Sequence, residues 1–191
     1  LDVKEVLFTD NAYTEGKVDF KKTEEAIGKK ISDLVKNGFV ITQGFVGCTP
    51  EGFATTLGRE GSDYTASIFA YSLNAERMTV WKDVEGIMNA DPKEFPEAQF
   101  ISELTFHEAI EMTYYGASVI HPKTIKPIQN KNIPLNVRSF VKPEAEGARI
   151  DQIAILDRVT RQHAGQLRRR RFRWECSPGA SEESPAVCSP R

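Results

Sequence analysis

Cysteine is scarce in this chain: Cys48, Cys176 and Cys188 are three residues in 191. An odd number at such wide spacing makes neither a zinc cluster nor a disulfide framework, and the thiols read as free ones in a reducing cytosol. Long apolar runs are missing too. No stretch approaches the roughly 18 apolar residues of a membrane-spanning helix. The N-terminus, Leu1-Asp2-Val3-Lys4-Glu5, lacks an initiator Met, a basic region and an apolar core. No secretory signal is therefore expected, a cytoplasmic location is, and the chain reads as beginning inside something larger. No internal repeat is visible.

Charge is present but unevenly spread. Residues 1–157 hold 17 Lys+Arg and 24 Asp+Glu, a net of −7; residues 158–191 hold 8 Arg and 3 Glu, a net of +5. The shift places a boundary near residue 150, between a domain at 1–150 and a tail at 151–191. A domain near 150 residues buries roughly 70% of its unfolded surface, enough for a sizeable core.

Strand-like and helix-like segments alternate along the first 140 residues, which predicts α/β architecture. Residues 6–9 form a short apolar run. Ile27, Ile31, Leu34 and Val35 then fall on one helical face, with Thr23 as N-cap, Glu24 and Glu25 in the first turn and Asn37-Gly38 at the end. Residues 39–42 read as a buried strand, continuous in the manner of parallel sheets. Ser62 opens a helix with Ala66, Phe69, Ala70 and Leu73 inward, and residues 78–81 are the next strand. Thr105 to Glu108 spells a capping box, Gly116 closes that helix, Pro122 suits a helix N1 position, and Leu135, Val137 and Phe140 mark a last strand.

The chemistry concentrates in Gly58-Arg59-Glu60-Gly61-Ser62-Asp63-Tyr64-Thr65-Ala66. A glycine-containing loop feeding a helix N-terminus presents backbone N–H groups and the positive end of the helix dipole to an anion. Arg59 adds a planar fork for a carboxylate, and Asp63 can orient a neighbouring cation or amine. From the residues alone a plain capped helix explains this segment as well.

The segment resembles the Gly-Arg-Gly-Gly-Ser-Asp-Tyr-Thr-Ala signature of aspartate kinases in the amino acid kinase superfamily, with Glu60 in place of the first paired glycine. Other stretches match in order: Leu1 to Asp10 with Val18-Asp19-Phe20, Val40 to Gly47, Trp81 to Lys93, and Tyr115 to Pro122. The His-Pro-Lys-Thr-Ile run is similar to that of bifunctional aspartate kinase–homoserine dehydrogenases. The resemblance implies a three-layer αβα sandwich on a largely parallel sheet, truncated at its N-terminus. It implies transfer of the ATP γ-phosphoryl to the side-chain carboxylate of L-aspartate, on the route to lysine, threonine and methionine. Such a reaction rests on positioning and charge neutralisation. Carried over residue by residue, Arg59 grips an aspartate carboxylate, Ser62 helps hold the substrate, and Asp63 organises the cations around the transferring phosphate. Asp83 and Gly86 line the nucleotide crevice, Met88 lies beside the adenine, and Asp91 and Lys93 approach ribose and phosphates. Mg2+ is expected to bridge the phosphates, no protein-held metal is implied, and the full-length enzyme is expected to be a homo-oligomer.

Two departures stand out. Ser118 occupies the position of the family's lysine, and Lys123, five residues on, is the expected replacement. The family's opening Lys-Phe-Gly-Gly loop, much of its aspartate-binding half and its regulatory domains have no counterpart, so the isolated chain is expected to turn over little. The alternatives are another amino acid kinase, acting on glutamate or acetylglutamate, and a non-catalytic nucleotide-binding fragment. The tail, with Arg168 to Arg171 and Ser177 to Pro185, is expected to be disordered. It reads as out-of-frame or foreign sequence, and nucleic-acid binding by it is not expected. His107 reads as half-buried or solvent-facing, His121 as capping a helix or satisfying backbone groups, Lys29-Lys30 as a solvated face, and Trp81, Phe39 and Phe45 as core.

Overall fold

In a computed structural model the chain is described at residues 1–91, 94–114 and 119–152, and at the backbone of 173–176 and 187–188. In chain order it forms a short 3-10 turn at Val3–Glu5, helices α1 (Phe20–Ile31) and α2 (Leu34–Asn37), and strands β1 (Val40–Ile41), β2 (Val46–Cys48) and β3 (Ala54–Thr56). Helix α3 (Gly61–Ser72) follows, then β4 (Arg77–Lys82), β5 (Ile87–Met88), β6 (Phe100–Ile101) and β7 (Glu103–Thr105). Helices α4 (Phe106–Tyr114) and α5 (Pro122–Asn130) precede β8 (Leu135–Ser139), β9 (Ala148–Asp151), β10 (Arg173–Cys176) and β11 (Val187–Cys188).

The central sheet has the order β10-β4-β8-β9-β7. Its pairings are parallel except β8 with β9, so the largely parallel α/β sheet expected from the sequence is the one found. Strands β2 and β3 make a hairpin, as do β5 and β6.

Helix α3 sits at the centre. Tyr64 through Ala70 are all buried, so past its first turn this helix has no solvated face, as expected of one enclosed by other elements. Ile68 and Phe69 join Leu57, Met78, Val80, Ile125, Ile128, Leu135 and Val137 in one continuous core. Each such side chain contributes roughly 1.5–3 kcal/mol by leaving water.

The front of the chain differs from its sequence reading. Helix α1 starts earlier than Thr23: Asp19 caps it, its carboxylate accepting from Lys22 N at 3.1 Å. Thr23 is buried inside the helix, its hydroxyl accepting from Phe8 N at 3.1 Å, and Glu24 and Glu25 fall beyond the first turn. The helical assignment is interrupted at Ser32 and Asp33, α2 resumes at Leu34, and Leu34 is exposed rather than inward. The strand at 39–42 shrinks to β1, which pairs antiparallel with β11, and Phe39 and Ile41 face solvent. Residues 6–9 form no strand; Phe8 and Thr9 make isolated bridges to Cys48 and Val18.

Elsewhere the agreement is close. Thr105 and Glu108 form the capping box, Glu108 N donating to Thr105 Oγ1 at 3.1 Å and Thr105 N to Glu108 Oε2 at 2.7 Å. Helix α5 starts at Pro122 with His121 as cap, its Nδ1 accepting from Lys123 N at 3.1 Å. His107, Lys29 and Lys30 are exposed, as read. Phe140 lies past the end of β8 and is half exposed. Gly116 and Ser118 lie outside the described residues, as does the tail apart from β10 and β11, including Arg168 to Arg171 and Ser177 to Pro185.

Candidate active site

Two parts of the chain meet at the N-terminal end of α3. The first is the loop 57–60, which delivers the backbone into the helix through Glu60, held at φ 52° in the left-handed region. That geometry costs a residue with a Cβ roughly 1–2 kcal/mol. Glu60 makes no side-chain cap; its carboxylate instead accepts from His121 N at 3.1 Å, tying the loop to the start of α5. Arg59 and Ser62 are exposed at this end, and Asp63 is half-buried in the first turn.

Residues 44 and 45 press against the same turn. A Cβ at Gly44 would lie 2.9 Å from Ser62 Cα, so glycine is required there for the approach. Phe45 N donates to Thr65 Oγ1 at 3.0 Å and Leu57 N donates to Phe45 O at 2.9 Å, which fixes both loops on the helix. Phe45 itself has φ 72° and is partly exposed, and Phe39 is largely exposed, so neither belongs to the core as expected; Trp81 is half-buried beneath the Arg138 guanidinium at 4.9 Å.

The second part is the C-terminal end of β4. Lys82 ends the strand, in register with Ser139 of the parallel β8. Its ammonium lies 2.6 Å from Asp63 Oδ2, with the two side chains 21% and 14% exposed. Open α/β sheets bind ligands outside the carboxyl ends of their strands, which is where this pair stands. The pair joins the glycine-loop segment to the segment that begins at Asp83. Sequence reading missed Lys82; its one signal is a lysine closing an apolar strand directly before Asp83.

Beyond Lys82 the chain runs through exposed Asp83 to Gly86, which is buried at φ 148°; a Cβ there would lie 2.5 Å from the Phe100 ring. Met88 is half-buried in β5 opposite Phe100, and Asp91 is exposed beyond it, its carbonyl accepting from Glu94 N at 3.1 Å and Phe95 N at 2.8 Å. Glu85 and Lys142 form an ion pair across this loop. Lys93 lies outside the described residues.

Lys123 approaches α3 from a different side. Its ammonium donates to Leu57 O at 2.8 Å, lies 3.3 Å from Glu15 Oε1 and sits 5.1 Å from the Tyr64 ring centroid. It borders a cavity of about 250 Å³ lined by Phe20, Tyr64, Tyr71, Lys126, Pro127 and Asn130, between α1, α3 and α5. Burial pushes the Tyr64 hydroxyl up from its ordinary value. Among the described residues no group of three or more His, Cys, Asp or Glu could hold a metal ion. No helix of the described residues is long and apolar enough to cross a membrane.

The chain is similar to known proteins. The chain is 40% identical over 146 residues to lysine-sensitive aspartokinase 3 of Escherichia coli, covering 76% of this chain and 32% of that protein. It is 37% identical over 153 residues to the chloroplastic bifunctional aspartokinase/homoserine dehydrogenase 1 of Zea mays, covering 80% of this chain and 16% of that protein. The chain thus spans a third or less of the length of these relatives. The crystal structure of Escherichia coli aspartokinase III in complex with aspartate and ADP superposes with a TM-score of 0.77 at 38% identity, over 81% of this chain and 34% of that one. Aspartate kinase from Clostridium acetobutylicum gives 0.70 at 34% identity, over 80% and 33%. The pattern of the amino acid kinase family matches residues 6–139, which take in both loops, the Asp63–Lys82 pair and the strand ends beneath it. On that match over more than half its length, the chain belongs to the amino acid kinase family.

Proposed function

We propose that this chain carries the nucleotide-binding half of an aspartate kinase. In the reaction a side-chain carboxylate oxygen of L-aspartate forms a bond to the γ-phosphorus of ATP as the bond to the β,γ-bridging oxygen breaks, and ADP leaves. The observation that carries the reading is the joining of the Arg59-to-Asp63 segment to the Asp83 segment by the Lys82–Asp63 contact at 2.6 Å. Acceptor and nucleotide must meet there for in-line transfer. The likeness to an aspartokinase structure holding aspartate and ADP supports the same choice over a glutamate or acetylglutamate kinase.

In this reading Arg59, exposed at the loop, forms the two-pronged contact to a substrate carboxylate, with Ser62 beside it. Asp63 holds and orients the cationic groups. Asp83 and Gly86 line the nucleotide crevice, Met88 packs beside the base, and Asp91 with Lys93 approaches ribose and phosphates. Mg2+ arrives on the phosphates and lowers their charge during transfer. Lys123 was the sequence's candidate for a phosphate-facing cation; Lys82 is the other. The full-length enzyme is read as a cytoplasmic homo-oligomer, and this chain by itself as turning over slowly.

Calorimetric titration of MgATP into the purified chain tests the reading, with Asp83→Ala as the paired variant. Saturable binding weakened ten-fold or more in the variant supports it. A chain that melts cooperatively yet binds no nucleotide removes it. The span of a third or less of the relatives keeps one rival in play, a non-catalytic nucleotide-binding fragment. That rival predicts unchanged ATP affinity when L-aspartate is added, whereas the kinase reading predicts coupled binding.

A further inference from the structure

Resting on the kinase reading, we propose that Lys82 is the cation that contacts the transferring γ-phosphoryl group, with Asp63 holding its ammonium in place. Four observations lead there. Lys82 ends β4 at its carboxyl side, directly before Asp83, so its ammonium is on the ligand-bearing edge of the parallel pair β4–β8. The ammonium is 2.6 Å from Asp63, and the pair is largely withdrawn from water, at 21% and 14% exposure. A pair so withdrawn gives up much hydration for its mutual attraction and is weak as a purely stabilising device. An ammonium has three donor hydrogens on a compact charge, so one directed at Asp63 leaves donors for phosphate oxygens.

The fourth observation concerns Lys123. Residues 63 and 64 are consecutive on α3, and consecutive side chains diverge by about 100° around a helix. Lys82 engages Asp63, whereas Lys123 stands over Tyr64 and is drawn toward Leu57 O and Glu15, beside the cavity between α1, α3 and α5. The two lysines therefore address different sides of one helical turn, and the one at the strand ends is Lys82.

During transfer the γ-phosphorus–bridging-oxygen bond breaks while the carboxylate–phosphorus bond forms. The charge of the moving group stays on its three peripheral oxygens, where an ammonium stabilises it without exchanging a proton. Lys82 is then a catalytic residue and Asp63 a positioning residue for it.

The test compares MgATP with MgADP by calorimetry on the whole chain, in wild type, Lys82→Gln, Lys82→Arg and Lys123→Ala, with thermal melts to confirm folding. A contact to the γ-phosphate predicts that Lys82→Gln weakens MgATP binding about ten-fold or more and MgADP less than about two-fold. Lys82→Arg should restore most of the preference. A purely structural ion pair would lower the melting temperature and leave the ATP-to-ADP ratio intact; that outcome overturns the assignment, as does loss of the ratio in Lys123→Ala but not in Lys82→Gln. Should Lys82→Gln fail to fold, retention of the full ratio in Lys82→Met would overturn the assignment, and its loss there would support it. A folded wild type that binds neither nucleotide brings down the kinase reading, and this assignment with it.

Discussion

Helices α3 and α4 begin in opposite ways. At α4 the chain closes its own end: Thr105 and Glu108 exchange backbone and side-chain hydrogen bonds, and the Thr105 hydroxyl also donates to Glu108 Oε2 at 2.8 Å. At α3 the cap residue is Glu60, left-handed at φ 52° and turned away to His121 N. One end satisfies its first-turn groups locally and serves only to start a helix. The other is held from outside, by the loop at Gly44 and Phe45 and by the start of α5, and it leaves Arg59 and Ser62 exposed. The difference teaches that the end lacking an ordinary cap is the one to examine for chemistry.

The comparison is broken most severely at Gly44. Replacing it with Ala puts a Cβ against the Ser62 backbone. The loop must withdraw, at a cost of about 1–3 kcal/mol read from urea melts, and MgATP affinity should fall with it. Thr105→Ala at the other helix should cost about 1 kcal/mol. It should leave nucleotide affinity unchanged; a matching loss of binding would show that the two ends are not separable.

Acid sharpens the contrast further. Hydrogen bonds from the Thr105 backbone N–H, and then from its hydroxyl, hold the Glu108 carboxyl below its ordinary value of 4.5. A folded-state value below the unfolded one makes the cap's contribution fully present above about pH 4.5, and it is lost as the pH falls through the lowered value. Glu108→Gln should therefore flatten the stability profile between neutral pH and the acid limb, measured by melts at pH 7 and 3.5. The smallest expected effect is at Glu60. Glu60→Gln keeps an acceptor for His121 N and removes one negative charge from the open end. MgATP should bind roughly two-fold tighter at low salt, and the gain should vanish at about 1 M salt, where charges are screened beyond some 3 Å.

How much of this could be read beforehand depended on how local the cause was. The capping box at Thr105, the His121-Pro122 start of α5 and the apolar strand before Lys82 are spelled by neighbouring residues, and all three were legible. Thr23 looked like a cap because its type favours one, but a contact to Phe8 N, fifteen residues away, draws its hydroxyl inward and leaves the capping to Asp19. Phe39 and Ile41 looked like a parallel core strand because their apolarity was visible while their neighbours in space were not. The candidate site divides the same way. Arg59, Ser62 and Asp63 were found through a motif, whereas Lys82 needed the fold to bring Asp63 to it across 19 residues.

The pairing of β4 with β8 also sets a timetable. Strand β4 ends at Lys82, but its partner β8 is complete only when Ser139 has been made, after α4 and α5, and its other partner β10 comes later still. At synthesis rates of roughly 5–20 residues per second that interval is several seconds, during which the Asp63–Lys82 contact lacks the neighbouring strand beneath it. A nascent chain cut before β8 should leave the β4 amides open to hydrogen exchange, and extension past Ser139 should protect those on the β8 side, while those on the β10 side wait for Cys176. The candidate ligand-binding edge is in that sense assembled late, by strands that contribute none of its proposed ligand-binding residues.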